Sequence, residues 1–221
     1  IKNINYLLGI AAICRVGGVY MGEQLIIAVS REFGSGGHAV AQLLSEKYNI
    51  PLYDSNLLED IADQKNLDAQ ELGKYDEKSK ASFFTRSVRG FSTSLEENLA
   101  WMQFKYLNSM ADAGKSFVIV GRCAEEVLKE NPNLVTVFVL GNMENKIHRI
   151  MERYQTTRDK AVKLIEQQDK KRKTYHNRYC QGKWGDSRNY DICINSRLGV
   201  ERTAQIIADY IDADIEQKKQ N

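Results

Sequence analysis

A buried strand that runs directly into a glycine loop and then into a helix leaves a chain few ways to fold. Residues 26–41 read Ile26-Ile27-Ala28-Val29-Ser30-Arg31-Glu32-Phe33-Gly34-Ser35-Gly36-Gly37-His38-Ala39-Val40-Ala41. Glycines at such a junction let backbone N–H groups turn toward an anion, and the helix start adds the positive end of its dipole. A tight strand-to-helix turn would also need glycine for its geometry, but small residues at 34–37 directly after an apolar strand favour a phosphate cradle. The usual signature is GxxxxGK[ST], ending in a lysine and a hydroxyl. The register that takes Gly37 as the last glycine puts His38 at the lysine and Ala39 after it. His38 is then the expected donor-phosphate ligand, and Arg31 is a candidate replacement cation. Ala39 and Val40 offer no hydroxyl, so the metal ligands are left unassigned, with Ser35 a possible helper.

The rest of the chain fits a parallel sheet. Apolar runs at Leu25–Ser30, Pro51–Tyr53, Phe117–Gly121, Val135–Leu140 and Tyr190–Asn195 alternate with helical patterns, the βαβ order of an α/β sheet covered on both faces. Helices are expected from about His38, from Ser94 to Gly114, from Glu144 to Tyr154, from Arg158 to Tyr179 and from Gly199 to about Lys218. Ser94 and Glu97 have the spacing of a capping box. With 221 residues and 43% hydrophobic content the chain can bury one full core. A formal charge of +2 argues against a nucleic-acid binder. Four cysteines without a CxxC pair read as free thiols in a reducing compartment, hence a cytoplasmic location. The apolar run Leu7–Cys14 is too short to span a bilayer, and no membrane association is expected. Residues 1–20 are expected to form an extension outside the core, with a single domain over 21–221. Within it, 64–93 is polar and mixed around Phe83, Phe84 and Phe91, either a flap over a ligand or a surface excursion. Residues 149–188 are dense in Arg and Lys, either a solvated face or a cationic lid.

Several strings together resemble the cytidylate kinase-like family of P-loop nucleoside monophosphate kinases. They are IIAVSREFGSGG, IPLYD at 50–54, VIVGR at 118–122, Asp169 with Arg172, and YDICIN at 190–195, in order over about residues 24–215. The resemblance implies a five-stranded parallel sheet with helices on both faces, a helical lid and an acceptor-binding flap. It implies transfer of the γ-phosphoryl of ATP, with Mg²⁺, to a nucleoside monophosphate such as CMP or dCMP. Gly34, Ser35, Gly36, Gly37 and His38 would hold the donor phosphates, and Gly121 with Arg122 the acceptor phosphate. Asp54 would meet the acceptor's sugar or base, or else cap a following helix. Asp169 and Arg172, one helical turn apart, would work as a pair in which Asp169 orients Arg172, and Arg172 with Arg153 and Arg149 would meet the transferring phosphoryl. The substitutions at His38, Ala39 and Val120 leave room for a nucleotide-binding protein with weak or no kinase activity, and Cys123 after Gly121-Arg122 leaves room for another small acceptor.

Overall fold

Strands buried on both faces should be continuously apolar, and β1 is so from Ile26 to Val29. The computed structural model describes residues 23–54 and 95–220. Five parallel strands, β1 (Ile26–Arg31), β2 (Leu52–Tyr53), β3 (Phe117–Val120), β4 (Leu134–Leu140) and β5 (Ile192–Asn195), form one sheet in the order β2-β3-β1-β4-β5. The register pairs Val29 with Val120 on one side and Val137 on the other. Among the described residues six α-helices accompany them: α1 (Gly37–Tyr48), α2 (Leu95–Asp112), α3 (Ala124–Val127), α4 (Met143–Tyr154), α5 (Arg158–Tyr179) and α6 (Val200–Gln220).

Successive β1 side chains point to opposite faces, and each face has its own core. Ile27 and Val29 pack with Val40 and Leu44 of α1 and with Ile207 and Ile211 of α6. Ile26 and Ala28 pack with Leu99, Leu107 and Met110 of α2. The helices α4 and α5 form an antiparallel pair around Ile147, Ile150, Ala161 and Ile165. This pair takes up much of the basic region 149–188, and Lys146, Asp169 and Arg172 join it to Glu32, Phe33 and Arg31 at the end of β1.

The elements follow the sequence pattern closely. The last strand is shorter than its apolar run because Tyr190 leaves the ladder. It packs instead on Phe138, ring centroids 5.1 Å apart. Asp191 turns back on β4, its carboxylate accepting from the N–H and hydroxyl of Thr136, each at 2.7 Å. The one-turn helix α3 was not foreshadowed by any apolar period. Ser94, the 64–93 segment and residues 1–20 lie outside the described residues.

With order 2-3-1-4-5, the carboxyl ends of β1 and β3 lie side by side, which is where open parallel sheets gather ligands. The stability of that edge depends on the β1 core. Ile27 is fully buried, so Ile27→Ala should cost about 2–5 kcal/mol, measurable as a lower midpoint in urea unfolding with an unchanged slope.

Candidate active site

The loop between β1 and α1 is held so that several of its amides stay free of protein acceptors. Gly34 and Gly36 have φ of 79° and 84°. A Cβ at Gly34 would lie 3.1 Å from Ile150 and from the Lys146 carbonyl, and one at Gly36 would lie 3.0 Å from Val200. Both positions therefore need glycine for conformation and for space. Ser35 is fully buried; its hydroxyl donates to the Glu32 carbonyl at 2.9 Å and accepts from Gly37 N–H at 3.3 Å. The loop carbonyls turn outward to α4. Arg149 donates to the carbonyls of Gly34 and Ser35 at 3.2 and 3.1 Å, and the Ser196 hydroxyl donates to the Ser35 carbonyl at 2.5 Å. The N–H groups of Gly34, Gly36, His38 and Ala39 find no acceptor among the described residues. That is the arrangement of an anion-binding helix start.

A buried ionic cluster fixes the root of the loop. Lys146 Nζ, with its side chain 5% exposed, lies 2.8 Å from Asp169 and 3.2 Å from Glu32. Asp169 also accepts from Phe33 N–H at 2.6 Å, and Glu32 accepts from Gly141 N–H at 3.0 Å. Asp169 thus positions the loop, in place of the direct pairing with Arg172 that the three-residue spacing predicts. Lys146 and Glu32 went unnoticed in the sequence; the available signal was a lysine four residues before Ile150 on the apolar face of α4.

Beside the loop opens a cavity of about 600 Å³. It is lined by Arg31, Asp54, Gly121, Arg122 and Arg172, with Glu125 and His176 deeper in its wall. Gly121, Arg122 and Cys123 all have positive φ, of 77°, 61° and 55°. Two non-glycine residues in succession in that region store of order 1–3 kcal/mol each, and the turn they make sets Arg122 on the cavity wall directly after β3. Asp54 at the end of β2 receives His38 Nδ1 at 3.0 Å and Arg31 Nη2 at 3.4 Å. It therefore joins the loop to the second strand. Arg172 donates to the Arg31 carbonyl at 3.0 Å and lies over the Phe33 ring. Burial lowers the Arg31 pKa to about 9, Arg172 and Arg122 push the same way, and Asp54 opposes them. Burial likewise lowers Arg172, against Asp169 and Asp54. Both stay cationic at neutral pH, so three guanidinium groups share one cavity. Arg153 is outside this set: it is exposed and stacks on Tyr154. Arg149 has its donors on the loop carbonyls and on Ser196.

For a divalent cation such as Mg²⁺, which takes oxygen ligands, the residues offer little. Ser35 Oγ is committed within the loop and Glu32 to Lys146. Asp54 is the carboxylate that opens on the cavity from β2. The set fits a cation carried on phosphate and water, with one protein carboxylate nearby. A softer group, Glu125, His176 and Cys180, brings one ligand atom from each within 4.8 Å, with an ion pair inside it. His176 Nε2 lies 2.9 Å from Glu125, and Tyr190 donates to the same carboxylate at 3.3 Å.

A sheet of this order, with an amide-lined loop after its first strand and arginines at the adjoining strand end, defines a P-loop kinase fold. The chain belongs to the cytidylate kinase-like family, whose model matches residues 26–198. Over 194 residues it is 27% identical to the cytidylate kinase of Methanocaldococcus jannaschii, covering 85% of this chain and 98% of that protein. An uncharacterized protein from Eubacterium ventriosum superposes with a TM-score of 0.69 at 41% identity, covering 86% of this chain and 99% of that one. Shikimate kinase from Bacteroides thetaiotaomicron shares the fold, with a TM-score of 0.52 at 16% identity over 85% of this chain and 98% of that one. Family and fold support nucleotide kinase activity. Among the described residues no helix is long and apolar enough to cross a membrane.

The His176 wall gives a pH test. Burial opposes the charged ring, but hydrogen bonds with Cys180 and Glu125 outweigh it and raise His176 to about 10. A raised folded pKa stabilises fully below the unfolded value of about 6.5 and is lost as pH climbs through 10. The unfolding free-energy difference between wild type and His176→Gln should therefore be largest at pH 6 and shrink toward pH 10. A difference independent of pH would contradict the pairing.

Proposed function

We propose that the protein transfers the γ-phosphoryl group of ATP to a nucleoside monophosphate, with CMP or dCMP the preferred acceptor. The observation that carries the reading is the placement, at the carboxyl edge of the sheet, of a glycine loop whose Gly34, Gly36, His38 and Ala39 amides have no acceptor among the described residues beside a cavity lined by Arg31, Arg122 and Arg172. Phosphoryl transfer asks the protein for positioning and charge neutralisation more than for covalent chemistry. The backbone of Gly34, Ser35, Gly36 and Gly37 holds the donor phosphates, with the amide of His38 at the helix start. Gly121 and Arg122 receive the acceptor phosphate, where the planar guanidinium suits two phosphate oxygens. Asp54, held by His38 and Arg31, faces the acceptor from β2. Arg172 neutralises charge on the transferring group, and Asp169 acts through the loop root. Arg153 joins them only when the α4–α5 pair closes, as expected of a lid spanning 149–188. Asp54 is the carboxylate that would help hold Mg²⁺ brought by the nucleotide, and the cation would screen the phosphate charge. The family and the cytidylate kinase relative support this choice of acceptor.

The test is a coupled assay of ADP formation with ATP and Mg²⁺ and each of CMP, dCMP, UMP, AMP and dephosphocoenzyme A. CMP or dCMP should turn over well above the others. Arg122→Gln should raise the KM for the acceptor by about tenfold or more, because a hydrogen bond to a charged group is worth roughly 1.5–3 kcal/mol. ATP binding with no turnover of any acceptor would overturn the kinase reading. An unchanged acceptor KM in the variant would remove Arg122 from the acceptor site.

A further inference from the structure

The phosphate loop lacks its usual lysine, and the chain shows where the charge has gone. In GxxxxGK[ST] the first glycine and the lysine stand six residues apart. Arg31, the last residue of β1, and Gly37, the first residue of α1, have the same separation. Gly36 between them is the N-cap of α1. In that register the first position of the signature holds an arginine and the lysine position holds a glycine.

The two residues exclude each other in space. A Cβ built on Gly37 would lie 2.5 Å from Arg31 Cβ and 3.0 Å from its Cγ. Real Cβ atoms do not approach so closely, so a side chain at 37 and one at 31 cannot both be seated here. The Arg31 side chain runs from the root of α1 toward Gly121. A Cβ on Gly121 would meet Arg31 Nη1 at 2.5 Å, so the tip of this arginine lies against the second glycine. The guanidinium ends in the cavity between the amide cradle and Arg122, with its side chain 18% exposed and Asp54 at 3.4 Å. His38, one residue further along, points to Asp54 from a half-exposed position.

We propose that cation and glycine have exchanged places in this loop, and that Arg31 is the residue that holds the terminal phosphates of the bound nucleoside triphosphate. Gly37 is glycine so that the arginine can cross the loop. The exchange replaces a point charge by a planar fork that can hold two phosphate oxygens at once. It also sets the cation between the donor cradle and the Gly121-Arg122 turn, where a phosphoryl group would pass from one to the other. His38 is then released from the lysine's task. This assignment rests on the nucleotide kinase reading for its ligand, but it concerns triphosphate binding and does not need the acceptor to be CMP.

The test measures ATP and inorganic tripolyphosphate binding to the full chain by titration calorimetry, each variant first being checked for folding by its thermal transition. Arg31→Gln should lose roughly tenfold or more in affinity for both ligands. Arg31→Lys should regain part of it. Gly37→Lys alone should bind poorly or fail to fold, because its side chain collides with Arg31. The double variant R31G/G37K restores the usual order of the signature. It should fold and bind ATP more tightly than Arg31→Gly alone. A merely structural arginine would not be rescued by a lysine placed six residues away. Equal affinity of Arg31→Gln and wild type, or a double variant no better than Arg31→Gly, would overturn the proposal, as would a wild-type chain that binds neither ligand. A wild type that binds ATP but phosphorylates no monophosphate would sink the proposed function and leave the Arg31 assignment to these comparisons.

Discussion

A loop that aims its amides at one point must send its carbonyls the other way, and something must receive them. In this protein α4 and the turn after β5 do so. Arg149 and Ser196 take the carbonyls of Gly34 and Ser35, while Lys146 and Asp169 tie Glu32 and Phe33 to α4 and α5. The orientation of the cradle therefore depends on a buried lysine between two carboxylates more than on the glycines alone. Glycine permits the conformation; the ionic cluster selects it. Removing one member of such a cluster leaves an uncompensated buried charge, so the loop, the helical pair and the sheet edge stand or fall together.

The same economy of placement concentrates positive charge. Arg31, Arg122 and Arg172 face one cavity; burial and the charges of Arg172 and Arg122 disfavour the charged form of Arg31, and burial disfavours that of Arg172. Asp54 opposes this for both. Phosphate, with several oxygens for planar donors, matches a cavity that gathers these guanidinium groups. The strained turn Gly121-Arg122-Cys123 belongs to the same design, since positive φ at two non-glycine residues is the cost of setting Arg122 beside the loop.

The sheet and its helices were legible because parallel strands buried on both faces announce themselves as unbroken apolar runs, and the helices between them carry their apolar residues near a 3.6-residue period. The glycine loop and the Gly121-Arg122 turn were legible for a similar reason: backbone geometry restricts residue type. What was not legible depends on contacts between distant segments. Nothing near Asp169 in sequence says that it will meet Lys146 and Phe33 rather than its helical neighbour Arg172. Nothing local to Arg31 says that it will fill the space above Gly37. The reading of His38 as the surrogate lysine followed from counting along one register, and the steric exclusion between positions 31 and 37 appears only in three dimensions. Lys146 was hidden by the ordinary expectation that a lysine on a helix is exposed.

The account stands on two phosphate positions on either side of one cavity. A crystal structure with a non-hydrolysable ATP analogue and CMP tests this most directly. The analogue's β- and γ-phosphates should lie within hydrogen-bond distance of the amides of residues 34–38 and of the Arg31 guanidinium, and the CMP phosphate within reach of Arg122. Phosphates bound away from the 34–38 amides, or a triphosphate held there with Arg31 turned from it toward Asp54, would contradict it.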